Sequence, residues 1–186
     1  MPLGPLVDYH VHSTCSGDAS ADMEDMCAHA IEIGLAEVAF TEHLDLQPDD
    51  PGYGYYSYER YRREVAANRS RFGADLKISM AIEITYQHEY DEEIRRMLRN
   101  EFDYVLGSVH TVEREFIYLP GYYQKREAEQ AYRAYYKELL LAARSGHFNC
   151  LGHFDLPKRY SLEIYGRVPW RIFSAEIDDI LRAAVE

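Results

Sequence analysis

His10 and His12 stand one residue apart in the stretch DYHVHSTCSGD at positions 8–18. In an extended strand, residues i and i+2 point to the same face, so this spacing presents two imidazoles to one ion. His43, Glu83, His110 and His153 follow along the chain, each near the carboxyl end of a stretch that reads as a strand. Alone, an H-x-H pair fits partly buried histidines as well as it fits metal ligands. Its recurrence with a carboxylate and three further histidines at strand ends tips the reading towards ligation. A set of His and Glu without cysteine suits zinc, manganese or iron, and a carboxylate such as Glu83 can bridge two ions.

The elements that must position these residues alternate. Residues 7–13, 37–41, 76–85, 104–109 and 150–155 read as strands. Helical patterns occupy 23–33, closed by Gly34, and 58–72, 91–100, 127–144 and 171–185, with a loop rich in Asp, Pro and Gly over 47–54. The helix over 127–144 carries Tyr132, Tyr135, Leu139 and Leu140 on one face, and that over 171–185 carries Ile172, Ile177, Ile180 and Leu181 as its expected buried stripe. Alternating strands and helices specify a parallel α/β fold, open or closed into a barrel. Metal-type residues at the carboxyl ends of successive strands select the barrel, where side chains from different strands converge on one face.

The 186 residues, 47% of them hydrophobic, support one globular domain over 1–186. With 32 acidic against 20 basic residues the net charge is -12, which disfavours nucleic acid as a partner. The start has no basic, apolar leader pattern, and the longest aliphatic run, 139–143, is too short to cross a bilayer, so a cytoplasmic protein with no membrane partner is expected. Cys15, Cys27 and Cys150 are widely spaced and expected to be reduced, small and partly buried. The 17 tyrosines are expected to pack helices with their hydroxyls kept wet, rather than to stack on a ligand. His29, His88 and His147 lie away from the strand ends and are read as ordinary surface or helix-end residues.

Five motifs taken together, DYHVHSTCSGD (8–18), FTEHLD (40–45), AIEI (81–84), FDYVLGSVH (102–110) and LGHFDLPKRY (151–160), resemble the PHP superfamily of polymerase and histidinol phosphatase domains. Within it they look most like the monofunctional histidinol-phosphate phosphatases. The resemblance implies a distorted (β/α)7 TIM-like barrel, of which this chain supplies the first five β/α units, around up to three divalent ions. It implies one metal on His10, His12 and Glu83, a second bridged by Glu83 and bound by His110 and His153, and a third on Asp18 and His43. Asp8 is expected to orient a histidine through its other ring nitrogen. The family also ends in a Gly-Ser-Asp-x-His-like segment on further strands, for which this sequence has no counterpart; no histidine follows His153. A truncated longer enzyme is the favoured explanation, with ligands from another subunit or solvent as the competing one. An open sheet edge makes a homo-oligomer the corresponding expectation.

The activity implied is hydrolysis of a small phosphorylated metabolite, L-histidinol phosphate to L-histidinol and phosphate in histidine biosynthesis, by a hydroxide bridging two ions. Asp18 and His43 would help to hold the phosphate and leaving oxygen. Lys158 and Arg159 are candidate phosphate cations, Arg159 the better because its planar fork binds two oxygens; a solvated loop cation is the other reading. Glu113 and Glu115 could meet the amino group or imidazole of the substrate, or stand as surface carboxylates. Two alternatives remain open: another phosphoesterase or nuclease of the superfamily, and a non-catalytic metal-binding remnant or interaction domain.

Overall fold

A computed structural model describes residues 4–185, so residues 1–3 and 186 of the expected domain lie outside the described residues. The chain divides into two compact units, Met1–Ile84 with Asn100–Leu106, and Thr85–Arg99 with Gly107–Glu186.

The first unit holds β1 (Leu6–Val11), α1 (Met23–Glu32), β2 (Leu35–Leu44), α2 (Tyr58–Phe72) and nearly all of β3 (Lys77–Thr85). β1 pairs parallel with β2, and β2 parallel with β3. Because side chains alternate along a strand, the register divides the sheet into two chemistries. Val38, Phe40, Ile78 and Met80 pack with Met23, Cys27 and Ala30 of α1 and Tyr61 and Val65 of α2. On the other parity, Thr41 and His43 stand beside Ala81 and Glu83. Burying one such Val, Ile or Phe side chain contributes about 1.5–3 kcal/mol, so the apolar face holds the sheet while the other parity is left for polar groups. Caps mark the helix starts: the Asp22 side chain accepts from the Asp25 N–H at 2.8 Å, and Ser57 caps α2.

The second unit contains a 3-10 turn (His88–Tyr90), α3 (Asp91–Met97), and the end of β4 (Tyr104–Ser108), the strand along which the chain passes between units. A hairpin of β5 (Thr111–Val112) and β6 (Glu115–Phe116) follows, then α4 (Pro120–Gln124), α5 (Ala128–Ser145), β7 (Cys150–Leu151), α6 (Leu156–Tyr165) and α7 (Ser174–Val185). Strand order is β1-β2-β3-β4-β7. Tyr122, Tyr123, Tyr132, Tyr135, Tyr136 and Phe173 form an aromatic core around Leu139 and Ile180. Gly107 is required by close approach, since a Cβ there would lie 2.4 Å from the Phe148 ring.

Four expectations need correction. Several tyrosine hydroxyls are not kept wet: Tyr61 donates to the Phe40 carbonyl at 2.6 Å, Tyr122 to that of Ala131 at 2.9 Å, and Tyr165 to that of Tyr123 at 2.6 Å. Of the stripe expected over 171–185, Ile180 is buried, whereas Ile172 and Leu181 are exposed and Phe173 takes the inner place. A 3-10 turn over Trp170–Phe173 precedes α7, and Phe173, Ile177 and Ile180 recur at i, i+4 and i+7, the spacing of one helical face, which leaves Ile172 and Leu181 off it. The fifth strand ends at Leu151, because His153 adopts φ 48°, outside any strand conformation. Cys150 is exposed, while Cys15 and Cys27 are buried.

Candidate metal centre

In the first unit, β1 delivers His10 from its last turn of pleat and His12 just beyond its end, while β2 and β3 place His43 directly beside Glu83 in register. Glu83 is fully buried. Three imidazoles converge on its Oε2: His10 Nε2 at 3.1 Å, His12 Nε2 at 3.3 Å and His43 Nδ1 at 3.6 Å. Asp18 Oδ2 lies 3.4 Å from His43 Nε2. Ligand atoms of His10, His12 and Glu83 lie within 4.8 Å of one another, as do those of His12, Asp18 and His43. The two groups overlap at His12, whose ring stacks on that of His43 with centroids 4.4 Å apart and planes 2° apart.

The electrostatics follow from that crowding. Burial and the neighbouring His43 push His12 down to about 4, so its ring is neutral at physiological pH. Burial also opposes charge on His43, but the bond to Asp18 and the charges of Glu83 and Asp45 outweigh it and raise it to about 9. The His43 bond in turn holds the Asp18 carboxyl below its ordinary range. Hydrogen bonding to Glu83 raises His10. His12 Nδ1 is buried with no hydrogen-bond partner among the described residues. A half-buried, neutral ring with a buried, unpartnered nitrogen, beside carboxylates and no sulfur, fits a borderline divalent ion.

In the second unit His110 follows β4 and His153 follows β7. His110 Nε2 stands 3.2 Å from His153 Nδ1, and its Nδ1 lies 2.9 Å from Thr85 Oγ1. The Tyr135 hydroxyl donates to the His153 carbonyl, fixing a residue held in left-handed backbone. Strain of that kind in a non-glycine residue persists where the surroundings over-determine it.

The remaining expected residues are placed differently. Asp8 accepts from the His10 backbone N–H at 3.1 Å and not from a histidine ring. Glu113 sits at the tip of the β5–β6 hairpin with φ 52°, and both it and Glu115 are ion-paired to Arg126, at 3.0 and 2.7 Å, with Lys125 also on Glu115 at 2.8 Å. Lys158 and Arg159 lie on α6 and not in a loop; both are exposed, Lys158 3.6 Å from Asp155 and Arg159 over the Tyr160 ring. Of the histidines read as surface or helix-end residues, His88 is exposed and its Nδ1 bonds Glu138 at 3.0 Å, and His147 follows α5 and its Nε2 bonds Asp91 at 2.7 Å. Sequence reasoning missed Ser13, Ser16 and Glu42, which form a buried hydrogen-bonded set beneath the first-unit cluster. The signal available was a Glu immediately before His43 in a strand otherwise apolar on that parity.

Comparison with known proteins bears on this geometry. The family model of the PHP domain matches residues 8–186. A probable histidinol-phosphatase of Deinococcus radiodurans is 29% identical over 165 residues, covering 83% of this chain and 62% of that protein. Another from Clostridium acetobutylicum is 27% identical over 186 residues, covering 97% of this chain and 69% of its own length. The crystal structure of histidinol phosphate phosphatase from Lactococcus lactis subsp. lactis, complexed with zinc, L-histidinol and phosphate, has a TM-score of 0.88 at 27% identity. It covers 95% of this chain, and the chain covers 68% of it. The chain therefore spans between 62% and 69% of the length of these proteins. The α/β architecture read from the strand-end motifs, five β/α units of a TIM-like barrel, is the fold shared with this neighbour. No helix among the described residues is long and apolar enough to cross a membrane.

Proposed function

The chain belongs to the PHP domain family, and on that premise we propose that it hydrolyses L-histidinol phosphate to L-histidinol and phosphate with bound divalent ions. One observation carries the reading: three imidazoles from two strands face a single oxygen of the buried Glu83. The Lactococcus enzyme, similar over nearly all of this chain, was solved with zinc and with both products of that hydrolysis, which supports the choice of metal and substrate. His10, His12, Asp18, His43 and Glu83 are the proposed ligands in the first unit. His110 and His153 are proposed as ligands on the resemblance of their motifs, with up to three ions in all.

A divalent ion held there would neutralise phosphate oxygens and lower the pKa of a bound water to near neutrality. The chain's own part is protonic and positional. His12, kept neutral by burial, offers a lone pair without first losing a proton. His43 must release to solvent the proton that Asp18 and Glu83 otherwise stabilise on its ring, and Asp18, already ionised, is left to accept from or ligate whatever replaces it. Glu83, away from solvent, keeps the rings aimed at one point. Arg159 is proposed to meet the phosphate from α6.

The test is phosphate release from L-histidinol phosphate by zinc-reconstituted protein, with and without a chelator. Release that the chelator abolishes supports the reading. Absence of release from zinc-saturated, folded protein overturns it in favour of a metal-binding domain without activity.

A further inference from the structure

We propose that Glu42 is a positioning residue for the ion held by His12, Asp18 and His43, acting through the segment that joins β1 to α1. The inference rests on the metal reading above.

Glu42 is fully buried in β2, on the parity opposite to His43. A carboxylate away from water is costly unless its oxygens are hydrogen-bonded, and burial indeed pushes this one up. Its partners all come from one short stretch. Ser13 donates to it from its backbone N–H at 3.1 and 3.2 Å and from its hydroxyl at 2.6 Å, and the Ser16 hydroxyl donates at 2.6 Å. The Ser16 oxygen in turn accepts from the His43 backbone N–H at 2.8 Å. Each of the three ligands thereby stands next to, or two residues from, a group that Glu42 fixes. His12 precedes Ser13, Asp18 follows Ser16 by two residues, and His43 adjoins Glu42 itself and is tied again through Ser16.

The rest of the segment is closed by its own turns, Ser16 N–H to the Ser13 carbonyl at 2.8 Å and Thr14 N–H to that of Ala21 at 2.9 Å. Those bonds shape the loop but do not set its height above β2. The carboxylate does, because it joins both of the loop's serines to the strand that bears His43, a tie that the bond from the His43 N–H to Ser16 reinforces. A residue serving stability alone could be aliphatic at this site, at no desolvation cost. Fixing ligands through outer hydrogen bonds is the role for which a buried carboxylate suits better, and losing such a bond weakens metal affinity about 10–100-fold.

The experiment is a zinc titration of the chelator-stripped full chain against a chromophoric competitor, resolving each binding step. Asp18→Ala identifies the step that belongs to this ion. Glu42→Ala should weaken that step by about tenfold or more and leave the others within about threefold, and the near-isosteric Glu42→Gln should restore most of the loss. Wild-type affinity in folded Glu42→Ala, or equal weakening of every step, overturns the proposal in favour of a purely structural carboxylate. Should Glu42→Ala fail to fold, Ser16→Ala decides: loss confined to the Asp18 step supports the proposal, and no loss overturns it. If the wild-type chain takes up no zinc, the metal reading fails and carries this inference with it, an outcome separable from the others.

Discussion

The two units bury comparable numbers of large side chains, yet they handle polar groups in opposite ways. In the first, an aliphatic face seals the helices to the sheet, and the polar parity gathers ionisable side chains around Glu83. In the second, the core is aromatic and its tyrosine hydroxyls turn inward, those of Tyr122, Tyr135 and Tyr165 onto backbone carbonyls and that of Tyr132 onto Ser161, while that of Tyr123 has no hydrogen-bond partner among the described residues. Hydroxyls bonded to carbonyls are satisfied as they stand. The first unit's cluster is not, since the His12 ring stacked on His43 keeps a buried nitrogen with no hydrogen-bond partner among the described residues. The difference teaches where chemistry is to be sought: buried polarity that the fold itself satisfies is structural, and buried polarity that needs a further cation is a site.

Removing the centre of the first arrangement tests that contrast most strongly. Glu83→Ala should lower zinc affinity by at least about a hundredfold, more than the loss of an outer partner, and bring phosphate release to background. Elemental analysis after desalting and a phosphate assay measure the two. Undiminished zinc in this variant would mean that the first unit's crowding has some other cause.

The next largest effect is on the pH dependence of the metal-free chain. His43 keeps its proton up to about 9 when folded but only to 6.5 when unfolded, so its contribution is complete below 6.5 and is lost as pH rises through 9. His12 has the opposite sign. Lowered to about 4, it stays neutral while the unfolded chain takes up a proton, so stability falls as pH drops from 6.5 towards 4. Urea midpoints of stripped protein should therefore peak near neutrality and fall on both sides, by a few kcal/mol at most given ~1.4 kcal/mol per pKa unit. Saturating zinc should abolish the alkaline fall, because a ligating His43 has already lost its proton. A profile that is flat without metal and unchanged by zinc would show that these rings do not interact as their geometry requires.

Much of this was legible before any coordinates. The i, i+2 spacing of His10 and His12 dictated a shared face, and the periods of the strands and helices marked five β/α units, because local sterics and burial set those patterns. The motifs named the ligand types for the same reason, since only a few side chains bind divalent ions. Three things were not legible. The stacking of His12 on His43 depends on the register of β1 against β2, which no local pattern encodes. Glu113 and Glu115 were read either as meeting a substrate or as surface carboxylates, and their shared pairing with Arg126 was not legible because it depends on a hairpin turn with positive φ. The tyrosine hydroxyls were expected in water because phenol is amphipathic; whether a carbonyl waits for it inside depends on packing.

Those hydroxyls provide a finer test. Tyr61 both donates to the Phe40 carbonyl and accepts from the Ala81 N–H at 3.0 Å, joining neighbouring strands of the first unit. Tyr61→Phe strands two buried backbone groups and should cost about 1–3 kcal/mol in denaturant unfolding. Tyr135→Phe in the second unit leaves one carbonyl short and should cost about 1 kcal/mol, while relaxing the backbone that holds His153. A zinc step weakened by Tyr135→Phe but not by Tyr61→Phe would assign His153 to an ion. The reverse result would confine ion binding to the first unit.

The smallest effect is expected at α6. Lys158 and Arg159 are neighbours there, both exposed, but their surroundings differ: Lys158 lies near Asp155, and Arg159 extends over the Tyr160 ring. An exposed pair such as Lys158 with Asp155 contributes no more than about 1 kcal/mol, so Lys158→Ala should alter neither stability nor rate measurably. Arg159 has a planar fork suited to two phosphate oxygens, and Arg159→Ala should raise KM for L-histidinol phosphate by about tenfold, equivalent to ~1.4 kcal/mol, with zinc content unchanged. Arg159→Lys should not rescue it, because an ammonium offers no fork. Identical kinetics in the two alanine variants would place Arg159 with Lys158 as a solvated cation with no part in holding phosphate.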